Sequence, residues 1–143
     1  NRPPPEGLTQ AAVYLLAHEC LYASDWGRRA PAYDAITSDY VEQALGLLVR
    51  KSQARGDVDV LAELLLAGCA VGQPSLAESP WQSLAQAQSE SGRVQSAHPL
   101  DTRFPRLPHP ALERSYHTTL VAIMAWAAAR PSDPVEPSAS SRK

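Results

Sequence analysis

The sequence predicts an all-α protein: a single domain of about five helices, built as an antiparallel bundle or an array of α/α-hairpins. Three observations carry this reading. Apolar residues recur at helical spacing in several stretches. Serine, threonine, aspartate, glycine and proline mark most of the ends of those stretches. No stretch shows the alternation of strand and helix that an α/β chain requires. With 143 residues, 44% of them hydrophobic, the chain can build one core without disulfide or metal staples.

Residues 1–7 (NRPPPEG) form a proline-rich lead-in that is expected to be non-helical. The helical domain is expected to span residues 8–129. Its first helix lies within residues 8–29 (LTQAAVYLLAHECLYASDWGRR), with Thr9 as cap and Gly27 as stop. Val13, Leu16, Ala17 and Cys20 share one face, while Leu15, Tyr22 and Trp26 fall on another. A helix apolar all round is expected to be buried. After a connector with Pro31, the second helix is expected from about Ser38 to Arg55, with Tyr40, Val41, Ala44, Leu45, Leu48 and Val49 as its stripe. Gly56 ends it and Asp57 caps a third helix over residues 58–71, so this junction reads as a helical hairpin.

Ser79-Pro80-Trp81-Gln82 has the form of a helix start, with serine as cap and proline in the first turn. The fourth helix should end by Gly92 and lie on the surface. Residues 93–110 hold four prolines and read as a long irregular connection. The fifth helix is expected over residues 111–129. The tail, residues 130–143, has little to bury and reads as disordered.

Charge excludes some functions. The formal net charge is −2 and only two of thirteen basic residues are lysines. The arginines are scattered, so the basic stripe of a nucleic-acid binder is missing. The longest apolar runs fall short of the roughly 20 residues that span a bilayer, which predicts no membrane partner. Cys20 and Cys69 sit in apolar helical contexts and read as reduced, buried thiols, an expectation that favours the cytoplasm.

The informative feature is polarity inside apolar helices. His18, Glu19, Tyr22, Asp25 and Trp26 lie in the first helix, Glu63 in the third, and Tyr116, His117, Thr118 and Thr119 in the fifth. Glutamate is almost never buried unless paired. No lysine or arginine lies within the first or third helix, so Glu63 and His18 are expected to find polar partners across helices. One reading is structural pairing that locks helix register. Another is that these groups converge on a ligand pocket, for which His18, Glu19, Tyr22, Asp25, Trp26, Glu63, Tyr116 and His117 are the candidate residues. A third is acid–base chemistry by a histidine beside a carboxylate.

A metal is not expected. His18 and Cys20 project to nearly opposite helix faces, Ala23 stands where a second zincin histidine would fall, and no CxxC is present. Nothing resembles a nucleophile elbow or a phosphate-cradling loop. No cofactor is expected.

Residues 18–28 (HECLYASDWGR), 61–68 (LAELLLAG) and 116–122 (YHTTLVA) resemble a set of uncharacterised helical proteins from actinobacteria. Members of that set tend to carry an HE-aromatic-D-aromatic-G motif in the first helix, and some are encoded among genes for natural-product biosynthesis. The resemblance implies no established activity. It implies an accessory role near a specialised metabolite.

The leading functional expectation is therefore a non-catalytic protein that binds a small apolar metabolite or a partner helix against its first, third and fifth helices. The rivals are a small acid–base enzyme and a structural dimerisation module. Three apolar helices in so short a chain also lead to the expectation of a homodimer.

Overall fold

The computed structural model describes residues 2–73, 78–95 and 115–130. Among these residues there are five α-helices: α1 (Gln10–Ala23), α2 (Ala35–Arg55), α3 (Val58–Ala70), α4 (Glu78–Gln86) and α5 (Tyr116–Ala129). The described residues form no strand, and a lone antiparallel bridge joins Gln88 to Val94. The expected connection and tail fall mainly on residues 96–114 and 131–143, which lie outside the described residues, as do positions 111–114 of the expected fifth helix.

The fold is built around α3. Its residues from Val60 to Gly68 are all buried, as befits a helix with a nearly continuous apolar circumference. α1, α2, α4 and α5 each pack against it. The α2–α3 junction is the expected hairpin. Gly56 takes the left-handed conformation at φ +66°, and the Asp57 carboxylate accepts the N–H of Val60 to start α3. α1 runs parallel to α3, since Tyr14 meets Asp59, His18 approaches Glu63, and Gly27 abuts Ala70. The first three helices thus run up, down and up.

Four local expectations are corrected. The lead-in contains a short 3-10 turn, Pro5–Gly7, because proline suits the first position of a helical turn. It is also tied to α2, with the Tyr40 hydroxyl donating to the Pro3 carbonyl and the Lys51 ammonium to that of Glu6. α2 starts one turn early. Asp34, not Ser38, caps it by accepting the Thr37 N–H at 2.6 Å, and Ile36 in that first turn is 70% exposed, so the apolar stripe does not reveal it. α4 begins at Glu78, which puts Ser79 inside the helix. Pro80 and Leu84 of α4 are buried, and Gln53 of α2 donates to the hydroxyls of Ser79 and Ser83.

The fourth correction concerns α1, which is not enclosed. Val13, Ala17, Cys20 and Leu21 face the core, but Leu15 and Tyr22 are 72% and 62% exposed. The helix also stops at Ala23, ahead of Gly27. The Ser24 hydroxyl donates to the Cys20 carbonyl and accepts the Gly27 N–H. Asp25, Trp26 and Gly27 follow with φ of +50°, +58° and +81°. This left-handed run turns the chain against the end of α3. Both cysteines are unbridged: Cys20 is buried and Cys69 partly so. Burial pushes the Cys20 thiol up to about 11.

Gly27 and Gly56 separate two roles of glycine. A Cβ on Gly27 would stand 3.3 Å from the Ala70 Cα, whereas one on Gly56 would meet nothing within 4 Å. Gly56→Ala should therefore lose only the left-handed penalty, about 1–2 kcal/mol. Gly27→Ala should lose that plus the cost of moving α1 off α3, giving a total of about 2–4 kcal/mol. Urea denaturation of the two variants measures the difference, and equal losses would show that the Gly27–Ala70 approach is not tight.

Candidate functional site

The site is assembled from three helices. Asp59 and Glu63 stand four residues apart on α3, so both carboxylates lie on one face. α1 brings Tyr14 and His18, again four apart, against that face. α5 brings His117 and Thr118 at its first turn.

Asp59 is the better satisfied carboxylate. Oδ2 accepts the Tyr14 hydroxyl at 2.8 Å, and Oδ1 accepts both the Thr118 hydroxyl and His117 Nδ1, the latter at 3.1 Å. Burial alone would raise its pKa, but the hydrogen bonds from His117, Thr118 and Tyr14 outweigh burial and hold it at about 2. The same pairing acts in reverse on its partners. The hydrogen bond to Asp59 raises the His117 pKa against the opposing effect of burial, and the charges of Asp59 and Glu63 add to the rise. Burial, then the bond to Asp59, pushes the Tyr14 phenol far above its usual range.

Glu63 differs. It is 4% exposed, yet neither of its approaches to histidine is a hydrogen bond. Oε1 lies 3.5 Å from His117 Nε2, and Oε2 lies 3.7 Å from His18 Nδ1, both too long or poorly aligned. The reason is competition. His18 Nδ1 lies 2.8 Å from the Tyr14 carbonyl, and a single N–H directed there is not available to a carboxylate. Glu63 Oε2 is left buried with no hydrogen-bond partner. Burial accordingly raises the Glu63 pKa, while His18 and His117 pull it down and Asp59 raises it further.

The histidines open this interior to solvent. Their side chains are 42% and 49% exposed, one on each side of Glu63. Among the described residues α1 and α5 pack on α3 with at most slight contact between them, which leaves Glu63 beneath the gap, or cleft, between His18 and His117. Both flanking helices carry exposed apolar side chains: Leu15 and Tyr22 on α1, and Tyr116, Leu120 and Ile123 on α5. On α1 the rings continue as a ladder, His18 to Tyr22 and Tyr22 to Trp26, each with centroids 6.1 Å apart.

Of the residues singled out from sequence, His18, Glu63 and His117 converge. Tyr22 and Trp26 extend the His18 wall, and the Tyr116 ring stands edge-on to His117. Glu19 and Asp25 do not join them; both are exposed, and Asp25 has Arg28 at 4.0 Å. Thr119, also polar, serves elsewhere, where its hydroxyl accepts the Val94 N–H and donates to the Val94 carbonyl. Asp59 and Tyr14 were missed. The available signal was their i−4 spacing from Glu63 and His18. A cavity of about 190 Å³ lies elsewhere, lined by Leu8, Val13, Leu48, Lys51, Arg55 and Val60 among others, and neither site histidine borders it. No group of three or more metal-ligating side chains suited to a metal occurs among the described residues.

Two outcomes test this geometry. A histidine whose folded pKa is raised adds stability that is fully present below its unfolded value near 6.5 and is lost as pH rises through the raised folded value. Asp59→Asn should lower the His117 midpoint in an NMR titration and flatten that alkaline loss of stability; an unmoved midpoint would contradict the pairing. Glu63→Gln keeps shape and hydrogen-bonding capacity and should change stability by less than about 1 kcal/mol. Glu63→Ala removes the carboxylate and leaves a void, at about 2–4 kcal/mol. Thermal denaturation of both variants decides, and an equal loss for the two would contradict the satisfaction argument.

No curated protein and no solved structure matches the chain. One family model does, the Domain of unknown function (DUF6895), over residues 1–127. With a match across that much of its length, the chain belongs to the DUF6895 family.

Proposed function

We propose that this chain is a non-catalytic binding protein whose α1–α5 cleft receives an apolar ligand carrying a hydrogen-bond donor. The observation that supports this is Glu63 Oε2, buried without a hydrogen-bond partner between two helices that both carry exposed apolar side chains. An orphaned buried acceptor costs about 1–3 kcal/mol. A donor that enters between His18 and His117 recovers that free energy, and the exposed apolar side chains accommodate the rest of the molecule.

Acid–base catalysis is the second reading, favoured by the orienting contact of Asp59 with His117. That contact weighs against a base as well, because it raises the His117 pKa, which favours the protonated ring, and turns its other nitrogen toward Glu63. The exposed apolar side chains of α1 and α5 are also the surface on which a homodimer would form. An accessory role in specialised metabolism, in the cytoplasm of an actinobacterium, extends the resemblance of residues 18–28, 61–68 and 116–122. The unbridged cysteines accord with a reducing compartment.

The experiment is an NMR screen with apolar alcohols, amides, amines and acids, each followed for turnover, with sedimentation of the free protein alongside. The expected result is shifts at His18, Tyr22, His117 and Leu120, a raised Tm, and no product. Product formation would establish the enzyme instead. Shifts confined to the Lys51 and Arg55 cavity, or a dimer that blocks the cleft, would overturn the small-ligand reading.

A further inference from the structure

We infer that the group received by Glu63 Oε2 is a primary ammonium on an apolar stem. This rests on the binding reading above and narrows it to one ligand chemistry.

Charge is the first argument. The site holds two carboxylates, Asp59 and Glu63, of which only Asp59 is hydrogen-bonded to a histidine, His117, while His18 Nδ1 stands 3.7 Å from Glu63 and is held by the Tyr14 carbonyl. With both carboxylates ionised and one imidazolium, on Asp59, to offset them, the cluster carries one negative charge. Among the described residues, Asp59 and Glu63 pair with histidines alone and with no lysine or arginine; Lys51 is on the Glu6 carbonyl, Arg2 beside Asp34 and Arg28 beside Asp25. A single positive charge balances the cluster. A carboxylate would add to the imbalance, and a hydroxyl or amide would donate a hydrogen bond but leave the charge uncompensated.

Geometry is the second. Oε1 of Glu63 faces His117 Nε2, so Oε2, buried and without a hydrogen-bond partner, is the one oxygen left to a ligand. A guanidinium gains its advantage by engaging both oxygens of a carboxylate, which this arrangement denies it. A compact ammonium needs one. A metal cation would require a donor set that the described residues do not provide.

The flanking helices supply the third. From Glu63 outward the wall on α1 is aromatic, through His18, Tyr22 and Trp26. On α5, Leu120 and Ile123 are exposed as well. An alkyl or aryl stem can lie along such a wall while the ammonium stays at Glu63, and aromatic faces favour a nearby cation as well.

The test uses four probes on the full chain: n-octylamine, 1-octanol, octanoate, and an amphipathic helical peptide with one central lysine against its norleucine counterpart. Affinities are read by NMR titration. Octylamine should bind at least tenfold tighter than octanol, with octanoate weakest. Glu63→Gln should abolish the preference for octylamine over octanol. Lysine-dependent binding of the peptide without octylamine binding keeps the ammonium and assigns it to a partner chain. Equal affinities for the three octyl probes would overturn the ammonium and leave the binding reading standing. If no probe, peptide included, shifts a cleft resonance, both are overturned.

Discussion

The burial of α3 is the constraint on which the rest of the structure depends. With residues 60–68 enclosed, every other helix must offer it an apolar face, and each does so with only part of its surface. Leu61, Leu64 and Leu65 are essentially removed from water, and full burial of one such side chain is worth about 1.5–3 kcal/mol. A sum of that size lets the helix carry a glutamate in its middle. Because Asp59 lies one turn before Glu63, the polar demand falls on a single face, and α1 and α5 must both answer it.

They answer it unequally. Asp59 receives three donors, and Glu63 receives none in hydrogen-bonding geometry. The difference traces to one atom, the Nδ1 of His18, which sits on the Tyr14 carbonyl of its own helix. A bond within α1 has displaced a bond between α1 and α3. That local preference creates an exposed imidazole and a hidden oxygen at the same place.

Much of the fold was legible in the sequence. Thr9 and Asp57 cap the helices they were expected to cap, and Gly56 makes the hairpin turn. The start of α2 was hidden because Ile36 breaks the stripe by facing solvent. At the site, Glu63 announced itself as a charge in the most apolar helix, and its need for partners pointed to His18 and His117. Asp59 did not, since an aspartate in a first turn normally serves the helix dipole and gives no sign of a tertiary partner. The outward face of α1 was misread for a related reason. Leu15 and Tyr22 have the composition of core residues, and composition does not say whether a helix has neighbours on one side or all round.

The turn after α1 has a consequence for how this surface can change over time. Asp25 and Trp26 occupy a left-handed conformation that only glycine adopts freely, at about 1–3 kcal/mol each. Glycine at either position would relax the backbone, and at position 26 it would remove the last ring of the ladder along the cleft. Mutation and selection thus pull in opposite directions on one residue, the fold favouring a small side chain and the cleft a large one. An indole that persists there under drift would mark the cleft as the property being selected.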